Sequence, residues 1–240
     1  MESHPGVCRM MASGTNPVQF LVLEKLEGKT LGARLGTDRP QPVNVVTWGK
    51  RRKLAASFPL PERLALGFQL AEVLAHIHSS AIPGACVIHR DLKPANVGFR
   101  RDGRLCLFDF GLSRVLHPQE SLTGLYQMTG ATGSQRYMAP EVALNRPYNE
   151  KADIYSLGLI LWEMCALARP FAKMACATHH HRVILGGARP PHGKGWPQEL
   201  KALLEACWAA EATDRPTATH VARQLRAIVS HQAKGKNFAP

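Results

Sequence analysis

The chain has 240 residues, 45% of them hydrophobic and 20% charged, with a formal net charge of +12. That balance excludes a disordered chain and predicts one domain, or one large part of one, with apolar residues enough for a sizeable core. The positive charge is scattered from Arg9 to Lys236 without a long basic run, so no nucleic-acid partner is expected, and Arg51-Arg52-Lys53, the densest cluster, reads as a solvated loop. Residues 7–12 and Phe20–Leu23 are rich in Val, Leu and Met and flank the turn-forming Ser13-Gly14-Thr15-Asn16-Pro17, which predicts a two-stranded hairpin. Over residues 37–59 periodicity disappears while Pro40, Pro42, Gly49 and the basic cluster accumulate, the pattern of an exposed insertion between helices. Pro61 opens a helix whose Leu66, Leu70, Val73, Leu74 and Ile77 recur at helical spacing as one buried stripe, ending near Ser79 and Ser80.

Short apolar pieces follow at residues 87–88, Val97–Phe99 and 105–108, the last two joined through the hairpin turn Arg101-Asp102-Gly103-Arg104. From Glu141 onward the periodicity is helical: Ile154, Leu157, Leu161 and Met164 on one helix; Leu200, Leu203, Leu204, Cys207 and Trp208 on another; Val221, Leu225 and Ile228 on a third. Residues 231–240 read as a flexible tail. The sum is α+β, a little sheet followed by a helical body. The most apolar stretch, residues 154–167, contains Ser156 and Glu163 and is too short to span a bilayer, so it reads as a buried core helix.

The first residues, Met1-Glu2-Ser3-His4-Pro5, have neither the charged start nor the apolar core of a secretory leader. The six cysteines (Cys8, Cys86, Cys106, Cys165, Cys176, Cys207) lie far apart without a Cys-x-x-Cys pair. Reduced thiols in a cytoplasmic protein with no membrane partner are therefore expected, and neither zinc nor disulfides are implied. His179-His180-His181 reads as a surface helix face, because consecutive helical side chains point in different directions.

The chemistry lies between the small strands. His89-Arg90-Asp91-Leu92-Lys93-Pro94-Ala95-Asn96 follows a long helix and precedes a small hairpin; Asp109-Phe110-Gly111 ends the second hairpin strand; Ala139-Pro140-Glu141 closes a segment of about thirty residues after it. Taken singly, Asp91 or Asn96 would be turn or capping residues and Asp109-Phe110-Gly111 a strand end. Independent turn residues have no reason to keep this order and spacing. Together the three motifs resemble the catalytic loop, the magnesium-binding motif and the end of the activation segment of protein kinases.

The resemblance implies a protein-kinase-like fold, mainly the helical C-lobe with a remnant of the N-lobe sheet: residues 1–26 as the last two N-lobe strands and hinge, 27–230 as the C-lobe with an insertion near 37–59, and 231–240 as tail. It implies transfer of the γ-phosphoryl group of ATP to Ser or Thr hydroxyls of a protein substrate. Such transfer needs magnesium held by hard oxygens, which suits the Asp109 carboxylate and the Asn96 amide oxygen. Asp91 would accept the substrate hydroxyl's proton and Lys93 would neutralise charge on the transferred group. Phe20-Leu21-Val22-Leu23-Glu24-Lys25-Leu26 resembles the fifth strand and hinge, with Leu23 as gatekeeper and the backbone of Glu24 and Leu26 offered to adenine. Asp153 looks placed to orient the catalytic-loop backbone, and Arg215 to pair with Glu141 as a structural clamp. Arg90 suggests regulation through a phosphate on Thr129 or Thr132, with Ser121 and Thr123 the other acceptors. Lys93-Pro94 and Gly133-Ser134 resemble Ser/Thr kinases more than tyrosine kinases, and the later Trp196-Pro197, Cys207-Trp208 and Arg215-Pro216-Thr217 resemble the tyrosine-kinase-like group of Ser/Thr kinases.

The sequence also departs from the family. The Gly-rich phosphate strand and the strand lysine are missing, and the lysines before the catalytic loop, Lys25, Lys29, Lys50 and Lys53, all fall in the hinge or beyond it. Gly98 stands where the family offers an apolar residue beneath the adenine, with Phe99 the candidate substitute. A non-catalytic kinase-like scaffold is therefore the alternative reading.

Overall fold

The computed structural model describes residues 4–16, 18–38, 48–121 and 123–235. The chain enters as a hairpin, β1 (Met10–Gly14) and β2 (Phe20–Leu23), paired antiparallel with Met10 opposite Leu23 and Gly14 opposite Phe20. Residues 7 and 8 do not belong to it as expected. Val7 makes a parallel bridge to Leu107, with Cys8 N–H donating to Leu107 O at 2.9 Å, so this segment ties the hairpin to the rest of the molecule.

Helix α1 (Leu31–Leu35) is capped by the Thr30 hydroxyl, which accepts from Ala33 N–H at 3.1 Å, and stops at Gly36, whose φ of 67° is left-handed. The expected insertion differs in one respect: Trp48–Ser57 forms a helix, α2, and its flanks Thr37 and Phe58 are buried. Four adjacent good helix formers, Lys53-Leu54-Ala55-Ala56, outweigh the missing apolar stripe. Pro40 and Pro42 lie outside the described residues.

Helix α3 (Leu60–Ser79) begins one residue before Pro61, a residue that fits the first turn because its missing N–H would be unpaired there. Its buried stripe contains all five expected positions and packs against α5 (Lys151–Ala166) and α8 (Ala218–Gly235). Between these helices come β3 (Cys86–Ile88), β4 (Val97–Phe99), β5 (Leu105–Leu107) and β6 (Arg114–Leu116). β4 and β5 form the expected hairpin, while β3 pairs antiparallel with β6, a pairing of three-residue strands too short to carry a periodic signal. Residues 152–165 of α5 are all buried, as befits a helix apolar around its circumference. Helix α7 (Gln198–Cys207) packs against it, while the short helices α4 (Pro140–Ala143) and α6 (Cys176–His179) pack on residues 180–185. The helical ladder of α8 runs on to Gly235, through the first half of the expected tail; residues 236–240 lie outside the described residues. No helix among the described residues is long and apolar enough to cross a membrane.

Candidate active site

The catalytic loop is held from below by one carboxylate. Asp153, in the first turn of α5 and 1% exposed, accepts from His89 N–H at 2.8 Å and Arg90 N–H at 2.9 Å, and its Oδ2 lies 3.0 Å from His78 Nε2 of α3. Burial works to raise the Asp153 carboxyl, but the His78 bond and the nearby His89 more than offset it and hold the group below its ordinary value. Arg90, with φ of 69°, and Asp109, with φ of 65°, both sit in the left-handed region, a conformation that non-glycine residues keep only where surrounding bonds impose it.

Asp91 is 8% exposed, and both its oxygens are engaged. Oδ1 accepts the Ser134 N–H at 2.8 Å, across 43 residues of chain. Oδ2 accepts from Lys93 Nζ at 2.5 Å and Asn96 Nδ2 at 3.2 Å. Asn96 Nδ2 also donates to Asp91 O at 2.9 Å, so the amide nitrogen is committed and Oδ1 is the atom left to act as an oxygen ligand. Asp109 joins this group indirectly: Phe108 N–H donates to Asn96 O at 3.1 Å, setting the strand end from which the exposed Asp109 projects. Asn96 amide oxygen and Asp109 carboxylate are a donor pair that fits magnesium.

The bond from Ser134 was not legible as a residue signal, since it uses the backbone. Its neighbour Gly133 carries the trace: φ is 97°, and a Cβ there would meet Arg90 O at 2.5 Å, so only glycine lets the segment close on the catalytic loop. Arg90 reaches the same segment, its Nε donating to Tyr148 Oη at 2.8 Å and its Nη2 to Thr129 O at 2.9 Å and Thr129 Oγ1 at 2.6 Å. The Thr132 hydroxyl instead donates to Thr129 O and Gly130 O. Farther along, Arg215, 1% exposed, forms a two-bond fork with Glu141 at 2.6 and 2.9 Å and places its other N–H groups on Ala209 O, Ala210 O and Lys151 O, the clamp expected from sequence.

On the hinge side, the Glu24 carboxylate is bound by the Arg100 guanidinium, which lowers its pKa, and accepts Arg9 N–H at 2.7 Å. Glu24 N–H donates to Arg9 O at 2.9 Å; Leu26 makes no backbone hydrogen bond among the described residues. Arg100 stands 76 residues from Glu24, and nothing in the local sequence announces the pair. Gly98 is faced by Leu26 Cδ1, 2.6 Å from where a Cβ would stand, and by the Phe108 ring at 3.2 Å. The side chains that face Gly98 are thus Leu26 and Phe108 and not the expected Phe99, which alternation turns into the core under Arg34, 4.5 Å from its ring.

Cys8, Glu24 and Cys106, distant in sequence, bring three potential ligand atoms within 4.8 Å of one another. The Arg100 guanidinium already takes both Glu24 oxygens, and burial pushes the Cys106 thiol up to about 12, so the trio is an ion pair beside two protonated thiols. Of the three consecutive histidines, His180 and His181 are exposed, but His179 is buried with its ring edge-on to Phe171, which corrects the surface reading at that position.

The sequence profile described as "Protein kinase domain" matches residues 2–225. The chain is 29% identical over 232 residues to a dual specificity protein kinase, shkE, of Dictyostelium discoideum, an alignment covering 96% of this chain and 29% of that protein. It is 40% identical over 148 residues to the serine/threonine-protein kinase VIK of Arabidopsis thaliana, covering 59% of this chain and 33% of the relative. It is 28% identical over 231 residues to human mitogen-activated protein kinase kinase kinase 7, covering 95% of this chain and 34% of that protein. The chain thus spans about a third of the length of these relatives.

Proposed function

Because the chain belongs to the protein kinase family, we propose that it carries the catalytic part of a Ser/Thr kinase of the tyrosine-kinase-like group, using ATP and magnesium on a protein substrate. Residues 1–26 are the N-lobe remnant and hinge in this reading, and 27–230 the C-lobe. The observation that carries it is the convergence of Ser134 N–H, Lys93 Nζ and Asn96 Nδ2 on one carboxylate, because a turn aspartate bonds its local backbone rather than a partner 43 residues away. Asp91 orients the substrate hydroxyl and accepts its proton. Lys93, 25% exposed at its side chain and bonded to Asp91, stabilises charge developing beside that hydroxyl. Asn96 Oδ1 and Asp109 would hold magnesium, which when bound neutralises phosphate charge. The open Leu26 backbone and the carbonyl of Glu24 are the adenine-facing groups. Six free cysteines accord with a cytoplasmic place of action.

The test is magnesium-dependent transfer from labelled ATP to a generic Ser/Thr protein. Asp91→Asn should lower the rate by about 10²–10⁴-fold; equal rates in the two proteins would remove Asp91 from its role. The scaffold alternative is favoured by one observation, the filling of the space over Gly98 by Leu26 and Phe108. Calorimetry with ATP and magnesium decides it: absence of binding supports the scaffold.

A further inference from the structure

We propose that the cavity beside Asp91 is a subsite for an anionic side chain of the protein substrate, a carboxylate or a phosphoserine close in sequence to the acceptor hydroxyl. The inference rests on the kinase reading above and names what that site prefers.

The cavity measures about 290 Å3 and lies between the end of α1, the catalytic loop and the stretch before Ala139-Pro140-Glu141. Lys93 and Ser134 both line it and both bond to Asp91, so it opens beside the group that would receive the acceptor hydroxyl. Its volume lies at the lower edge of the range of small-molecule pockets and leaves room for an amino-acid side chain.

Its charge is unbalanced. Lys93, Arg136 and Arg169 line it against a single lining carboxylate, that of the exposed Asp38. Arg136 donates to the carbonyls of Pro170 and Phe171, at 2.8 and 2.5 Å, and the buried Nε of Arg169 has no hydrogen-bond partner. Among the described residues neither guanidinium forms an ion pair. Behind the wall stands buried Glu163, whose Oε2 accepts from Tyr137 Oη at 2.6 Å while its Oε1 has no hydrogen-bond partner among the described residues; burial pushes it up to about 7, so its charge is only half present near neutrality.

Two half-buried guanidiniums without a carboxylate partner are costly, and burial followed by the neighbouring Arg169 lowers the pKa of Arg136. A planar anion entering the cavity would relieve that repulsion and give Arg169 a charge-assisted partner. A basic side chain would meet two guanidiniums that form no ion pair among the described residues, beside a Lys93 already paired with Asp91. The chain's net charge of +12 adds a long-range attraction for acidic peptides, with the local pocket deciding register.

The experiment uses the full chain and fluorescent peptides that share one acceptor serine and carry Asp, phosphoserine, Gln or Arg at each position within three residues of it. Anisotropy at low and high salt should show, at one register, the acidic peptides binding about tenfold tighter than the Gln peptide and the Arg peptide weakest. Arg169→Gln should collapse that ratio at this register, and Arg169→Glu should reverse it, with thermal melts confirming that both variants fold. Equal affinity for all peptides, or a ratio unchanged in Arg169→Gln, overturns the proposal. The ratio of phosphoserine to Asp affinity tells which anion the pocket takes. Phosphate transfer without charge preference would sink the subsite and leave the kinase reading standing. Charge preference that depends on Arg169, with no transfer by wild type, would sink the kinase reading and leave an anionic peptide site.

Discussion

Asp153 shows how one side chain sets the conformation of several others. Its two oxygens take the N–H groups of His89 and Arg90, and only with those bonds in place does Arg90 keep a left-handed backbone that sends its guanidinium toward Thr129. That contact narrows the regulatory choice left open by sequence: Thr129 offers its hydroxyl to Arg90, while Thr132 is turned into its own loop. A phosphate on Thr129 should raise the melting temperature by a few degrees, about 1 kcal/mol, and Arg90→Ala should abolish the gain. Phosphopeptide mapping of active protein that found Thr132 modified and Thr129 bare would contradict this. That Asp91, Lys93 and Asn96 come together was legible because their spacing in one short loop holds them close. The Ser134 donor and the Glu24–Arg100 pair were not, since a backbone N–H has no residue identity and an ion pair spanning 76 residues has no local pattern.

At the scale of elements, the Glu141–Arg215 fork fastens the start of α4 to the loop before α8. Every N–H of Arg215 has an acceptor, so Arg215→Ala strips a half-buried carboxylate of its partner and orphans three carbonyls; denaturant unfolding should show a loss of about 3 kcal/mol. Within α5, Glu163 has a folded-state pKa of about 7 against an ordinary 4.5. A raised carboxyl favours the folded state fully below the unfolded value, and that contribution is lost as pH rises through the folded value. Stability should therefore fall by about 3 kcal/mol between pH 4.5 and 7 on this account. Glu163→Gln should remove that slope, which melts of both proteins across the range will measure. The long helices were legible because a buried stripe repeats often enough to register; α2 was not, because it is mostly exposed and its period carries no contrast. The three-residue strands β3 and β6 are too brief for a period of two to show.

For the whole molecule, burial is uneven. The helical body closes around α5, whereas β1 and β2 expose Met10, Met11, Phe20, Leu21, Val22 and Leu23, each by 45% or more, on both faces of a two-stranded sheet. Such a sheet has little stability of its own and presents apolar surface and free edges to other chains. The isolated chain should bind the dye ANS strongly and associate at micromolar concentration; Leu21→Lys with Val22→Thr should reduce both signals, and unchanged dye binding in that double variant would place the exposed surface elsewhere. The fold class was legible from three motifs in order, since their spacing constrains the topology between them. How the hairpin attaches was not, because it depends on Val7 and Cys8 pairing with β5 far along the chain.

The hollow at Gly98 has a consequence for inheritance. Leu26 and Phe108 occupy the volume that a side chain at position 98 would need, so the three positions behave as one unit of variation. A lineage that acquired a valine or leucine there would have to shrink Phe108 or withdraw Leu26 in the same stretch of its history, and either change alone would leave a clash or a void. Among descendants of this sequence, the small residue at 98 and the large one at 108 should therefore travel together.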